Sequence, residues 1–294
     1  MPEITAALVK DLREKTGAGM MDCKKALLES HGDFAKAKLL LKEKGKSQAD
    51  SKSARIAAEG MVSIEVNEPK HLAIILEVNC ETDFAAKDDY FIEFTDTISK
   101  LLLSTNIETI KELMDAAIEG FNNVEEYRIF VVAKLGENIS IRRFRRIFFD
   151  GTLGTYIHGR KIAALVDLDI DNTGLAKDLA MQIAALKPEY IDQGEIPDEM
   201  IETESRILRL QAEKEGKPQE ILEKIVTGKL NKRLNEITLL GQEYIKDSDL
   251  KVSQLLKKSN ANVNLFVRYE VGDGIELEEK NFAEEVKAQV DASE

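Results

Sequence analysis

Leu72-Ala-Ile-Ile-Leu-Glu-Val-Asn79 is a strand-like apolar run, and it leads directly into Cys80-Glu81-Thr82-Asp83-Phe84-Ala85-Ala86-Lys87-Asp88. A helix-like pattern continues from there through Tyr90, Phe91, Ile92 and Phe94. The junction is short, and Thr82 or Asp83 has the side chain to cap the first free amides of a helix. Phe84 then falls in the first helical turn beside an acid, where no near neighbour hides it. Two readings follow. In one, Thr82 and Asp83 only cap and Phe84 folds into the core. In the other, Asp83 and Phe84 form a tip that inserts into a partner.

The same stretch decides the fold because it recurs. Residues 72–88 lie without gaps over Ile162-Ala-Ala-Leu-Val-Asp-Leu-Asp-Ile-Asp-Asn-Thr-Gly-Leu-Ala-Lys-Asp178. Upstream, Gly60-Met-Val-Ser-Ile-Glu-Val matches Gly151-Thr-Leu-Gly-Thr-Tyr-Ile. Downstream, Ile139 to Phe148 and Val263 to Val271 each supply a third strand-like run. Each copy is expected to hold a two-strand hairpin, helices and a third strand, giving small antiparallel sheets with helices on one side, an α+β architecture. Phe84 matches Gly174 and Asp83 matches Thr173, so the unit is buildable without an aromatic there. Ala85 matches the apolar Leu175, which makes Ala85 the candidate core position.

Working outward, residues 1–45 read as three short helices. Ile4, Leu8 and Leu12 form one stripe, Thr16-Gly17-Ala18-Gly19 breaks it, and a second helix starts near Met20 or Met21. Asp33 caps a third helix with Phe34, Ala37, Leu40 and Leu41 on its core face, and Gly45 is read as its stop. Such a thin bundle suits docking. Residues 46–59 are read as a partly helical linker, 60–149 as a first core subdomain and 150–277 as a second. An insertion at about 187–243 carries a projecting helical hairpin. Met200, Ile201, Ile207 and Leu208 mark its first helix, Glu215-Gly216-Lys217-Pro218 its turn, and Leu222, Val226, Leu230, Leu234 and Ile237 its second. The hairpin is expected to brace the core, to dimerise the chain or to touch a partner. Residues 278–294 form a terminal helix module with Phe282, Val286 and Val290 on a narrow stripe.

The 294 residues suffice for about two domains. A net charge of −13 argues against nucleic acid or an anionic membrane as the main partner. No apolar run approaches the roughly 20 residues of a membrane span, and Met1-Pro2-Glu3-Ile4 has no signal layout. Two distant cysteines make neither a disulfide framework nor a metal knuckle, so a cytoplasmic protein is expected. His31, His71 and His158 are scattered, and no phosphate-binding glycine loop, nucleophile elbow or HExxH pattern occurs. Cys80 with His71 is a weak nucleophile–base candidate. Asp167, Asp169 and Asp171 hint at a cation but lack the Gly and Glu of an EF-hand loop, which favours a solvated face or cap. Arg142-Arg143-Phe144-Arg145-Arg146 is either an RNA-binding cluster or, the better reading in an acidic chain, a salt-bridged edge strand. No cofactor and no catalytic group are expected. The inventory is that of a binding protein.

The residues carry a family resemblance. Leu12-Arg-Glu-Lys-Thr-Gly-Ala-Gly-Met-Met-Asp-Cys-Lys-Lys-Ala-Leu27 and Glu77-Val-Asn-Cys-Glu-Thr-Asp-Phe84 resemble the two signatures of the bacterial elongation factor Ts family, the nucleotide-exchange factors of the GTPase elongation factor Tu. His158-Gly159, Glu223-Lys-Ile-Val226 with Gly228-Lys229, and Phe282-Ala283 also fit, so the resemblance covers nearly the whole chain. It implies a ubiquitin-associated-like three-helix module, a two-part core, a coiled-coil hairpin and a terminal helix. It further implies that Asp83 and Phe84, framed by Thr82 and Ala85, enter the GTPase beside its magnesium and nucleotide site. Met20, Met21, Lys24 and Phe282 would touch the same partner domain and His158 a more distant one. The chain departs from the family in having Ala85 for the usual Val and Glu243-Tyr244 for Pro-Phe.

Overall fold

The computed structural model describes residues 4–214 and 219–276. The quoted apolar run becomes a strand buried along its whole length, and two three-stranded antiparallel assemblies form around it and its repeat. In chain order the elements are α1 (Ala6–Thr16), α2 (Met20–Glu29), α3 (Phe34–Lys52), β1 (Glu59–Asn67), β2 (Leu72–Cys80), α4 (Asp89–Ser104), α5 (Ile110–Asp115), α6 (Val124–Leu135) and β3 (Ser140–Phe148). The second copy follows with β4 (Thr152–His158), β5 (Ile162–Leu168), α7 (Thr173–Leu186), α8 (Asp198–Lys214), α9 (Gln219–Ile237), β6 (Glu243–Tyr244), β7 (Asp247–Lys251), α10 (Val252–Ser259) and β8 (Val263–Glu270). The sheets have the orders β1-β2-β3 and β4-β5-β8, with a small β6-β7 pair beside them. The expected hairpin-then-third-strand plan is met twice, and the aligned runs at 72 and 162 both open a central strand. The α+β class holds.

By internal contacts the chain divides into two compact units, 1–61 with 76–144 and 271–294, and 62–75 with 145–270. Residues 62–75, from the β1–β2 hairpin, belong to the second unit. There the Val62 N–H donates to Arg160 O at 2.8 Å and the Phe149 N–H to His71 O at 3.1 Å.

In the first unit, α1, α2 and α3 bury Val9, Leu12, Cys23, Leu27, Ala37 and Leu41 between them. Thr5 caps α1 and Asp33 caps α3 through their side-chain oxygens. The sequence reading stopped the third helix at Gly45, but α3 runs on to Lys52 through residues read as linker. Gly45 is not a stop. It is buried against α6, where a Cβ would stand 3.3 Å from Ile129 Cγ2, so its missing side chain serves helix–helix approach. On α6, Tyr127 and Phe130 join Phe94 of α4 and Phe121 in an aromatic cluster, with Phe121 stacked on Tyr127 at 4.5 Å.

In the second unit, α7 covers β4 and β5 and buries Leu175, Ala176, Leu179, Ala180 and Ile183 on Ala164, Val166 and Leu168. The α8–α9 hairpin closes over two small cores, one at Ile196, Leu234 and Ile237 and one at Ala212, Leu222 and Val226. Ile207, assigned to the apolar face of α8, is 43% exposed. Leu208 takes the inner position. The 215–218 turn lies outside the described residues. Tyr244, at the departure from the family pattern, is buried and donates its hydroxyl to Asp178 Oδ2 at 2.8 Å. Burial, and then this bond to a carboxylate, push the phenol up to about 12.

Two of the three candidate cation ligands, Asp167 and Asp169, accept hydrogen bonds from the protein itself. Asp167 is buried and accepts from the Gly151 N–H and the Asn264 side chain, so it is not on a solvated face. The strand ends at Leu168, so Asp169 no longer alternates with it; it accepts two bonds from Asn262. Among the described residues no group of His, Cys, Asp and Glu is placed to hold a metal ion, and no helix is long and apolar enough to cross a membrane.

Candidate partner-docking site

The chain between β2 and α4 departs from its repeat at the residues singled out from sequence. In the second copy the helix starts at Thr173 with Asn172 as cap. In the first, a short 3-10 turn spans Ala85–Lys87, and α4 begins only at Asp89, capped by Asp88 through the Tyr90 N–H at 2.9 Å. The expected helix start at Thr82 or Asp83 is therefore corrected: Phe84 precedes the helix rather than occupying its first turn.

The cause is a carboxylate that sequence reasoning missed. Glu137 follows Gly136, the left-handed residue that closes α6. Its Oε2 accepts from the backbone N–H groups of Glu81 and Thr82 at 3.1 and 3.0 Å, and its Oε1 accepts the Thr82 hydroxyl at 2.6 Å. Thr82 Oγ1 also accepts from the Ala85 N–H at 3.2 Å, which caps the short turn. Glu81 completes a reciprocal clip by accepting the Asn138 N–H at 2.7 Å. The Cys80 thiol donates to Thr82 O at 3.1 Å. An acid directly after a glycine helix stop is the only local signal for Glu137, and nothing nearby in sequence connects it to Thr82.

The clip fixes the backbone and Ala85 and Ala86 anchor it, both buried. Phe84 is left outside. Phe84 is 81% exposed, more than Met20 at 55% and Met21 at 63%. Asp83 beside it pairs with Lys87, Oδ2 to Nζ 2.6 Å. Replacing Glu137 by Ala is expected to lower stability by about 1–3 kcal/mol, since it removes three bonds to one charged acceptor. Hydrogen exchange at Thr82 and Ala85 should rise more than in the β4–β5–β8 sheet; an equal rise would mean that the carboxylate has no local role.

Met20 and Met21 open α2, with Lys24 one turn on, and all three side chains are exposed. They share the first unit with Phe84, and contacts run from one to the other. Gly17, in the turn before α2, lies against Phe130 of α6, where a Cβ would stand 2.6 Å from the ring. Phe130 meets Tyr90 of α4 edge-on at 6.1 Å between centroids. Gly17 also has φ 74°, a conformation that costs other residues about 1–3 kcal/mol. Gly17→Ala is expected to lose at least about 2 kcal/mol in urea unfolding, because strain and overlap with Phe130 add. His158 ends β4 in the second unit, exposed, with its Nδ1 3.3 Å from Tyr156 Oη. Phe282 lies outside the described residues.

The competing chemistry is placed otherwise. His71 and Cys80 flank opposite ends of β2, about 30 Å apart at the usual strand rise. His71 Nδ1 is engaged with Phe149 O, and Cys80 is fully buried. In the arginine cluster, Arg142 and Arg143 both bond to the buried Glu77, in line with the salt-bridged edge strand.

A family model described as elongation factor TS matches residues 81–273. The chain is 46% identical over 290 residues to elongation factor Ts of Legionella pneumophila (strain Paris), covering 99% of both chains. It is 48% identical over 291 residues to the elongation factor Ts of Methylococcus capsulatus, again with 99% of both covered. The match defines a protein-synthesis factor of the elongation class. The chain belongs to the elongation factor Ts family.

Proposed function

We propose that this chain is a guanine nucleotide exchange factor for elongation factor Tu. It binds the GDP-loaded GTPase, disturbs the partner's Mg²⁺ and phosphate site through Asp83 and Phe84, and releases GDP so that GTP can enter. The observation that carries this reading is Phe84, an exposed aromatic held on a backbone that its own hydrogen bonds fix in place. An exchange factor must favour the empty GTPase over the loaded one, because equal affinity shifts nothing. A ring inserted behind the metal-supporting loop has that property if the loop can yield only when the ion leaves. Loss of Mg²⁺ removes the charge that neutralises the phosphates. Asp83 orients the approach and competes for donors nearby, while Thr82 and Ala85 hold the tip. Met20, Met21, Lys24 and Phe282 grip the partner's nucleotide domain, and His158 a second one. In this scheme the chain contributes no reacting group, metal or cofactor of its own. The test is release of labelled GDP from purified elongation factor Tu at catalytic amounts of this protein. Acceleration supports the proposal, and an unchanged release rate overturns it.

A further inference from the structure

In the first unit, the Met20–Met21 grip on α2 and the Phe84 tip are both held by α6 and the two residues after its glycine stop. Glu137 holds the tip through the Glu81 and Thr82 N–H groups. Asn138 holds the connection from α3 to β1, donating from its side chain to the Arg55 carbonyl at 2.9 Å. Arg55 in turn reaches Glu81 at 3.5 Å. Along the helix itself, Ile129 and Phe130 receive the three-helix bundle at two glycines. A Cβ at Gly45 of α3 would stand 3.3 Å from Ile129 Cγ2, and one at Gly17 would stand 2.6 Å from the Phe130 ring. Lys42 of α3 adds an ion pair with Glu126 at 3.1 Å. Lys134 Nζ lies over the rings of Phe130 and Tyr90 at 5.2 and 4.9 Å, so the seam continues into the first turn of α4. A cleft of about 340 Å³ opens between the bundle and α6, so close approach is concentrated at these points.

We propose that α6 is a common brace and that Gly45, acting through Ile129, is a positioning residue for GDP release. It sets the α2 grip at a fixed place relative to the Phe84 tip. The kinetic consequence rests on the exchange reading; the brace does not. Without the seam, the bundle would be joined to the rest of the unit by residues 53–58 alone. Two contacts on a loose tether meet a partner one after the other, and ordering the second costs affinity. Two contacts fixed in register are made together. The tip is held separately by Glu137, so the seam sets how readily the partner is gripped and not how fast a gripped partner loses GDP.

The test uses Gly45→Leu. Leucine suits the α3 helix better than glycine does, so the bundle keeps its own stability while its approach to Ile129 is blocked. The first measurement is made on the full chain alone. Spin labels at Lys25→Cys on α2 and Lys100→Cys on α4 occupy exposed positions, while Cys23 and Cys80 are buried. A single narrow distance distribution is expected, broadened by Gly45→Leu and narrowed again when Ile129→Ala makes room. Lys42→Glu, a half-exposed change that sets like charges across the seam, should broaden it as well. In the second measurement, Gly45→Leu should raise the factor concentration for half-maximal GDP release about tenfold, with the maximal rate within about twofold of the unsubstituted protein. Adding Ile129→Ala should restore the lower concentration. A broad distribution in the unsubstituted chain, or one indifferent to Gly45→Leu and Lys42→Glu, overturns the brace. A broadened distribution with unchanged half-saturation, or a fall in the maximal rate, overturns the positioning role. If the unsubstituted protein does not accelerate release, the exchange reading falls and the positioning role with it, while the distances still decide the brace.

Discussion

Phe84→Ala is expected to cut the acceleration of GDP release by about ten- to a hundred-fold while leaving the fold as stable as before. The magnitude follows from the ring. Burying one Phe side chain is worth roughly 1.5–3 kcal/mol, and about 1.4 kcal/mol is a decade in affinity. The neutrality of folding follows from exposure. At 81% exposed, the ring contributes almost nothing to the core, and surface changes of this kind stay within about 0.5 kcal/mol. Paired measurements of GDP release and urea midpoint decide the matter. A variant that loses activity and midpoint together would place Phe84 in the structure rather than in the partner. One that keeps both would end the wedge mechanism while leaving the family membership untouched. Phe84→Leu should retain part of the activity, since shape and burial, not aromatic charge distribution, are what the mechanism asks for.

The second large effect is on stability. Glu77 is 0% exposed, yet it carries a charge and three partners: Arg142 Nη1 at 2.9 Å, Arg143 Nε at 2.6 Å and the Gly272 N–H at 2.9 Å. Removing one member of a buried ion pair costs about 3–5 kcal/mol, because the other charge is left without compensation. Here the arginine side chains are 25% and 33% exposed and regain some water, so Glu77→Ala is expected to cost about 2–4 kcal/mol. Added salt should change the midpoint difference little, because the carboxylate is out of reach of counterions. The variant should also free the backbone at Gly272, read as faster proteolysis after Glu270. A loss below about 1 kcal/mol would show that water replaces the carboxylate without penalty.

The fold was largely legible. β2 and β5 stood out because both are near-continuous apolar runs aligned by a repeat, and the third strands fell where the repeat put them. The exposed position of Phe84 was legible only through its counterpart, Gly174. The start of α4 was not legible, since Thr82, held by Glu137 55 residues further on, caps a short 3-10 turn and leaves the helix to begin after Asp88. Gly45 was misread for a related reason: a glycine that ends a helix and one that admits a neighbouring helix are the same letter, and Ile129 decides between them. Ile207 and Leu208 were indistinguishable as neighbours on a stripe until α9 chose its side. Local pattern gives the elements, and contacts distant in sequence correct their ends.

The Glu137 clip has a consequence for the timing of encounter. A tip on a free loop would have to be ordered during docking, at about 0.5–1.5 kcal/mol per immobilised side chain and with slowed association. Glu137 holds the backbone of residues 81–85 before any partner arrives, so that entropy is lost at folding and not at each collision. A factor that acts as proposed must engage and leave many GTPase molecules in turn. A pre-set tip allows both steps to be fast, because neither waits for the loop to find its shape.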